Sequence, residues 1–237
     1  MALQPPPGLL SALDASAAAL EASVSADASE WRRRCEGRGE AKGSVRVRSR
    51  QGAVRGDAHL SVASAEDART LFEHFILYEN RVRWDTGIAT QQQIRAYGDL
   101  THSVNAYTVA GSGGVVQPRL FVEARRTLCS GDLPFTNVCV DWSLDDAVAK
   151  AELPKNGRDH IRARNLAGSG CLLRAGGHRN DGRISVVLTM VGRSELGGWL
   201  PSVVVERATY GAYRDILSDG VKALQNAGMD VRFEVHL

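Results

Sequence analysis

The 237-residue sequence predicts one α+β domain, a curved antiparallel sheet with helices segregated to its face or ends. Two observations carry this. A long central stretch alternates polar and apolar residues between glycine-rich turn signals. Helical periodicity is confined to the start, to one segment near residue 70, and to a long final segment. Neither an internal repeat nor a low-complexity linker divides the chain. Residues 1–30 are expected to pack on a main unit of residues 31–228, with 229–237 as a tail.

The elements follow in order. After Pro5-Pro6-Pro7, Leu9 to Val24 is an alanine-rich helix with Leu9, Leu10, Leu13, Ala17, Leu20 and Val24 on one face. "SVRVRSR" (44–50) and "AHLSVAS" (58–64) have period two and predict antiparallel strands. Ser64 caps a helix, "AEDARTLFEHFILYEN", that has acids in its first turn and Leu71, Phe72, Phe75 and Ile76 on an apolar face. Seven further strands are expected: "GIATQQQIRAYG", "THSVNAYTVA", "RLFVEARRTL", "TNVCVDWSL", "HIRARNL", "GCLLRAG" and "RISVVLTMVG". Turns fall at Gly98-Asp99, Gly111 to Gly114 and Gly176 to Gly182. The last helix starts at Pro201 and stops near Gly228, and the tail "MDVRFEVHL" adds an edge strand.

A formal net charge of +2 argues against a nucleic-acid partner, which calls for a dense basic patch. The basic run Arg46 to Arg55 and the arginines after Trp31 read mainly as solvated strand faces; the alternative is an anionic membrane or protein surface. Cys35, Cys129, Cys139 and Cys171 are too dispersed for zinc and read as buried thiols of a reducing compartment. With no signal peptide and no run of 18 apolar residues, the chain is expected to be soluble and cytoplasmic, touching membranes at most transiently.

Catalytic signatures are absent: no GxSxG, HExxH or Walker loop occurs, and six scattered histidines lack ligand spacing. "GSGGVV" follows a strand and leads into another, so it reads as a hairpin loop rather than a phosphate cradle. Asp145-Asp146 read as a helix cap, since adjacent side chains diverge. The expectation is a protein without enzymatic activity, metal or cofactor.

On the final helix, Val204, Val205, Ala208, Thr209, Ala212, Ile216 and Leu224 share one face, small in its middle. Facing a concave sheet, such residues either leave a pocket or permit close packing. Gly211 and Gly220 each cost about 1 kcal/mol of helix stability relative to alanine. Such a weakened helix can move.

Four segments in fixed order add a further indication: "WDTGI" (84–88), "QPRLFVEAR" (117–125), "HIRARNLAGSGCLLRAG" (160–176) and "ISVVLTMVGRSELGGWLPSVVV" (184–205). This series, spanning roughly Trp31 to Ala227, resembles the START domain, the StAR-related lipid-transfer family. Gly198-Trp199-Leu200-Pro201 is its most specific part. The resemblance implies a helix-grip fold in which the sheet wraps around the C-terminal helix and encloses one lipid, a sterol or a phospholipid. It implies a gate made by that helix and residues 111–117, with Val115, Val116, Gly198, Trp199 and Pro201 as gate residues. Trp199 and Leu200 are expected to anchor the corner in the core.

The implied cavity residues are Trp84, Tyr107, Phe121, Glu123, Arg125, Val204, Ala208, Ala212 and Ile216. For Glu123 and Arg125 two orientations compete. Simple alternation buries Leu120, Val122 and Ala124 and leaves the charged pair outside. Family geometry points Phe121, Glu123 and Arg125 inward, and this is the orientation we adopt, with the pair moving together because a lone buried charge is prohibitive. One departure is Leu120, where the family carries an acid. The expected partners are a lipid and a transient membrane surface, and the protein is expected to be a monomer. The rival readings are an enzyme of the same broad fold, such as a cyclase or hydrolase of a hydrophobic substrate, and a regulatory interaction module with a vestigial pocket.

Overall fold

A computed structural model describes residues 3–98, 101–111, 117–143, 160–199 and 202–234, without the side chains of residues 28, 78, 178, 202, 204, 206 and 207. Its elements are α1 (Pro7–Ser25), β1 (Arg32–Glu36), β2 (Val45–Arg50), β3 (Ala53–Val62), α2 (Ala65–Ile76), α3 (Tyr78–Arg81), β4 (Ile88–Tyr97), β5 (His102–Val109) and β6 (Arg119–Leu128). Then come β7 (Phe135–Asp141), β8 (Ile161–Asn165), β9 (Ser169–His178), β10 (Ile184–Gly192), β11 (Ser194–Glu195), α4 (Ser202–Asn226) and β12 (Val231–Phe233).

Among the described residues the main sheet runs β1-β2-β3-β10-β9-β7-β6-β5-β4, with antiparallel neighbours throughout. β8 joins β6 in parallel register and pairs with the short β11. The predicted tail strand is β12, which adds to β3 through Val231↔Val62. Ser64 Oγ accepts the Asp67 amide at 3.1 Å and caps α2 as expected.

Both faces of the sheet are covered, which explains why β6 does not alternate in burial. On one face α1 buries Leu9, Leu13, Leu20 and Val24 against Val104, Leu120, Val122 and Ala124. Ser16 is fully buried there; its hydroxyl donates to Cys139 O at 2.9 Å and accepts from Gly168 N at 3.0 Å. On the other face α2 and the C-terminal half of α4 enclose Phe72, Phe75, Leu60, Leu188, Leu217 and Val221. The alternation reading of β6, with Glu123 and Arg125 outside, therefore fails: the outer face belongs to α1.

The basic run also needs correction. Arg55 is not a solvated strand residue but is only 8% exposed. Its guanidinium donates to Asp57 at 2.9 Å and to the carbonyl of Val24 at 3.0 Å, so it neutralises a buried acid and caps the C-terminus of α1. Asp57 also accepts from Arg48 at 3.0 Å and from the Thr189 hydroxyl at 2.8 Å.

The two glycines of α4 differ. A Cβ on Gly220 would lie 2.5 Å from Phe75 Cζ and 3.0 Å from Trp84 Cη2. Gly220 is thus where α4 crosses α2, and the expected weak point is a close-packing contact. Gly211 meets nothing nearer than Arg214 at 4.0 Å and remains a helix-weakening residue.

Candidate functional site

The apolar core under the C-terminal half of α4 gives way, under its N-terminal half, to a cavity of about 1160 Å³. The change follows from side-chain size: Leu217, Val221 and Leu224 fill the space they cover, whereas Ala208, Thr209 and Ala212 cannot. Close packing also occurs, but locally. Tyr213 lies against Gly192, where any added Cβ would sit 1.7 Å from the phenol oxygen.

Chain pairing explains which side chains reach this space. Tyr107 and Phe121 are register partners on β5 and β6, and their rings stack at 4.8 Å with 4° between planes. Phe121, Glu123 and Arg125 share one face of β6 and all line the cavity. Glu123 is 1% exposed. Its carboxylate accepts from Arg125 Nε and, at 2.6 Å, from Asn165 Nδ2. Asn165 Nδ2 also lies 2.9 Å from the Tyr107 hydroxyl, and Asn165 Oδ1 accepts from Ser194 Oγ at 2.7 Å. Arg125 donates onward to Ile76 O at 3.2 Å.

The electrostatics follow from burial. Burial disfavours the Arg125 cation, but the charge and hydrogen bond of Glu123, together with the neighbouring Cys139 and Tyr107, hold the guanidinium above its ordinary value. Burial, then the same carboxylate, push the Tyr107 phenol and the Cys139 thiol well above theirs. Burial alone raises Cys171, also on the cavity wall, to about 12. These thiols and this phenol stay protonated at neutral pH and serve the wall as hydrogen-bond donors. Among the described residues no group of three His, Cys, Asp or Glu could hold a metal ion.

Trp84, Tyr107, Phe121, Glu123, Arg125, Ala208, Ala212 and Ile216 all line the cavity. The backbone of Val204 is in α4, but its side chain lies outside the described residues, as do Val115, Val116, Leu200 and Pro201. Asp145 and Asp146 lie outside them too. Trp199 departs from expectation: it is 88% exposed and anchors nothing in the core. Gly197 and Gly198 adopt φ of 62° and 68° and press against Arg162 O and Ile161, so the chain turns on backbone contacts and leaves the indole outside.

Sequence reasoning missed Arg119 and Asn165. Arg119, 5% exposed at the start of β6, donates to Leu196 O at 3.0 Å, Gly197 O at 3.4 Å and Gln117 O, so it ties β6 to the strand–helix corner. Asn165 was discoverable as the one amide side chain of "HIRARNL". Leu120 is the register partner of Arg162, whose guanidinium donates to Asp141 at 2.6 Å.

Comparisons with known proteins agree on the fold. The human StAR-related lipid transfer protein 5 structure superimposes with a TM-score of 0.70 at 19% identity, covering 92% of this chain and 99% of that one. Human STARD10 gives 0.63 at 15% identity, covering 95% and 85%. A STAR-related lipid transfer protein from Xanthomonas axonopodis gives 0.54 at 18%, covering 84% and 98%. No curated protein matches by sequence. The START domain model matches residues 14–229, which is most of the chain and takes in both the cavity wall and the helix across it: this protein belongs to the START domain family.

Proposed function

We propose that the domain holds one lipid of the sterol or phospholipid class in the cavity beneath α4 and releases it by movement of that helix and of residues 111–117. The observation that carries this reading is the cavity itself. Its size exceeds the common small-molecule range of about 300–1,000 Å³, and its wall is largely apolar, with the ion pairs Glu123–Arg125 and Arg81–Asp85 set in it. Removing lipid surface from water is worth about 25 cal/mol per Å², so sequestration is readily driven and exchange is the kinetic problem. Support for a mobile α4 comes from the glycine corner at Gly197-Gly198 and from the unpacked Gly211. Support for membrane contact comes from Trp199 and Val203, 88% and 73% exposed at the entrance to α4. No helix among the described residues is long and apolar enough to cross a membrane.

Native mass spectrometry of the purified protein, with organic extraction of what co-purifies, tests the reading. One lipid per chain is expected. A chain that neither retains lipid nor takes it from vesicles would refute the proposal, and turnover of a bound ligand would favour an enzyme. An engineered disulfide joining residues 111–117 to α4 should stop exchange while leaving the fold intact.

A further inference from the structure

Charge is unevenly distributed around the cavity. Six arginines line it, Arg32, Arg34, Arg50, Arg81, Arg119 and Arg125, against Asp85, Glu123, Asp215 and Asp219. Most are accounted for within the protein. Arg81 pairs with Asp85 at 2.7 Å, Arg125 with Glu123, and Arg50 with Glu30 at 2.7 Å. Arg119 is spent on main-chain carbonyls, and Asp215 and Asp219 pair with Arg214 at 2.7 Å and Lys222 at 4.0 Å. Arg32 and Arg34 remain, and among the described residues neither has an acid partner.

Both belong to the end of the cavity under β1 and β2, and local geometry aims them there. Arg32 stands opposite Ser49, whose side chain shares the inner face with Val45 and Val47. The register then shifts between Arg33↔Arg48 and Cys35↔Val47, leaving Arg34 as the extra residue of a bulge. Strict alternation already puts Arg34 on the face of Arg32, and the bulge brings Cys35 to that face as well, opposite Val47. Arg34 Nε donates to Ser49 Oγ at 2.6 Å, and its guanidinium carbon sits 5.1 Å from the ring centroid of Tyr210 on α4. One donor and the stacking fix the plane of the guanidinium. Its terminal nitrogens make no hydrogen bond among the described residues, so a two-pronged donor is held ready at the cavity edge.

We propose that Arg34, assisted by Arg32, seats a headgroup of net negative charge, so that the amphiphile carried here bears a carboxylate or a phosphate with no cation beside it, rather than a neutral or zwitterionic polar group. This rests on the reading of the cavity as a lipid site and narrows it. The headgroup oxygens take the free guanidinium N–H groups of Arg34, the Arg32 cation adds attraction, and the apolar tail runs inward past Val54 and Met190 toward Phe121.

The test uses delipidated full-length protein mixed with phosphatidylcholine vesicles containing equal amounts of phosphatidylglycerol, oleate and cholesterol. Native mass spectrometry reads the bound species. The wild type should hold phosphatidylglycerol or oleate in preference to the neutral and zwitterionic lipids by about tenfold or more, as expected for one bidentate charged contact. Which of the two dominates separates phosphate from carboxylate. Arg34→Gln and Arg32→Gln should each shrink the preference, and the double variant should abolish it while still loading lipid. Arg32 is exposed and, among the described residues, has no acid partner, so its variant keeps the test alive if Arg34→Gln misfolds. A wild type without anionic preference, or a double variant that keeps it, overturns this inference and leaves lipid binding standing. Failure to load any lipid overturns the lipid reading itself. Reduced vesicle association with an unchanged ratio of bound lipids would overturn the inference too, and would assign these arginines to the bilayer surface.

Discussion

Arg119 Nε donates to the carbonyl oxygen of Leu196 at 3.0 Å, so the first residue of β6 holds the corner from which α4 departs. Further donors reach Gly197 O at 3.4 Å and Gln117 O. One guanidinium therefore bridges the segment before β6 and the segment before α4, the two boundaries of the proposed gate. Opening at this corner must stretch or break these bonds.

Arg119→Gln should accordingly speed lipid exchange. Hydrogen bonds from a charged donor contribute about 1.5–3 kcal/mol, and each 1.4 kcal/mol is about tenfold in rate, so a rise of tenfold or more is expected. Arg119→Lys should recover only part of the wild-type rate, because an ammonium cannot span diverging carbonyls as a planar guanidinium does. Transfer of a fluorescent lipid between vesicles measures both. Equal rates in all three proteins would remove the latch.

The Glu123–Arg125 pair makes a stability prediction with a built-in control. Glu123→Gln leaves the Arg125 cation buried without its counter-charge and should cost about 3–5 kcal/mol in urea unfolding. Replacing both by methionine should cost far less, because breaking a buried pair is worse than deleting it. Similar losses in the single and double variants would contradict the geometry.

The two helix glycines should respond oppositely to alanine. Gly220→Ala forces a methyl to within 2.5 Å of Phe75 Cζ and should destabilise by about 1–3 kcal/mol. Gly211→Ala meets open space and should stabilise by up to about 1 kcal/mol. If α4 moves during exchange, the second change should also slow transfer. Thermal melts and the vesicle assay decide these points.

Trp199 is exposed, so Trp199→Ala should leave unfolding free energy within about 0.5 kcal/mol of wild type. Co-sedimentation with vesicles should fall, because an indole at the water–lipid boundary is a favoured anchor. A large stability loss instead would restore the core role expected from sequence.

His74 gives a pH signature. It stacks on Trp84 at 5.1 Å, and burial holds its pKa below the ordinary 6.5. The unfolded chain takes up the proton near 6.5 while the folded one resists it, so this contribution is intact above 6.5 and is lost as pH falls below it. Between that value and the lowered folded pKa, stability should decline more steeply in wild type than in His74→Gln. Parallel slopes would show that His74 does not report on folding.

Legibility in the sequence tracked how local the physics was. Ser64 with Glu66 and Asp67 announced α2 because capping involves neighbours three residues apart. Period two announced β2, where Val45, Val47 and Ser49 are buried between half-exposed arginines. Alternation failed on β6 because a strand covered on both faces has no solvent side to read. Arg55 was misjudged for a similar reason. Its partner Asp57 is two residues away in sequence, but the Val24 carbonyl that completes its site is brought by α1 from 31 residues away.

The order of elements, the long closing helix, the small residues at its middle and the family motifs were all determined by the sequence alone, since each rests on local propensity or on a linear pattern. Which way Glu123 and Arg125 point, that Trp199 lies outside, that Gly220 is a crossing and Gly211 is not, and that Arg119 grips Leu196 were decided only by tertiary structure. Every one of these depends on what a distant segment places against the residue. The physical reason is burial on two sides: once α1 claims one face of the sheet, polar side chains on the other must find partners inside the cavity.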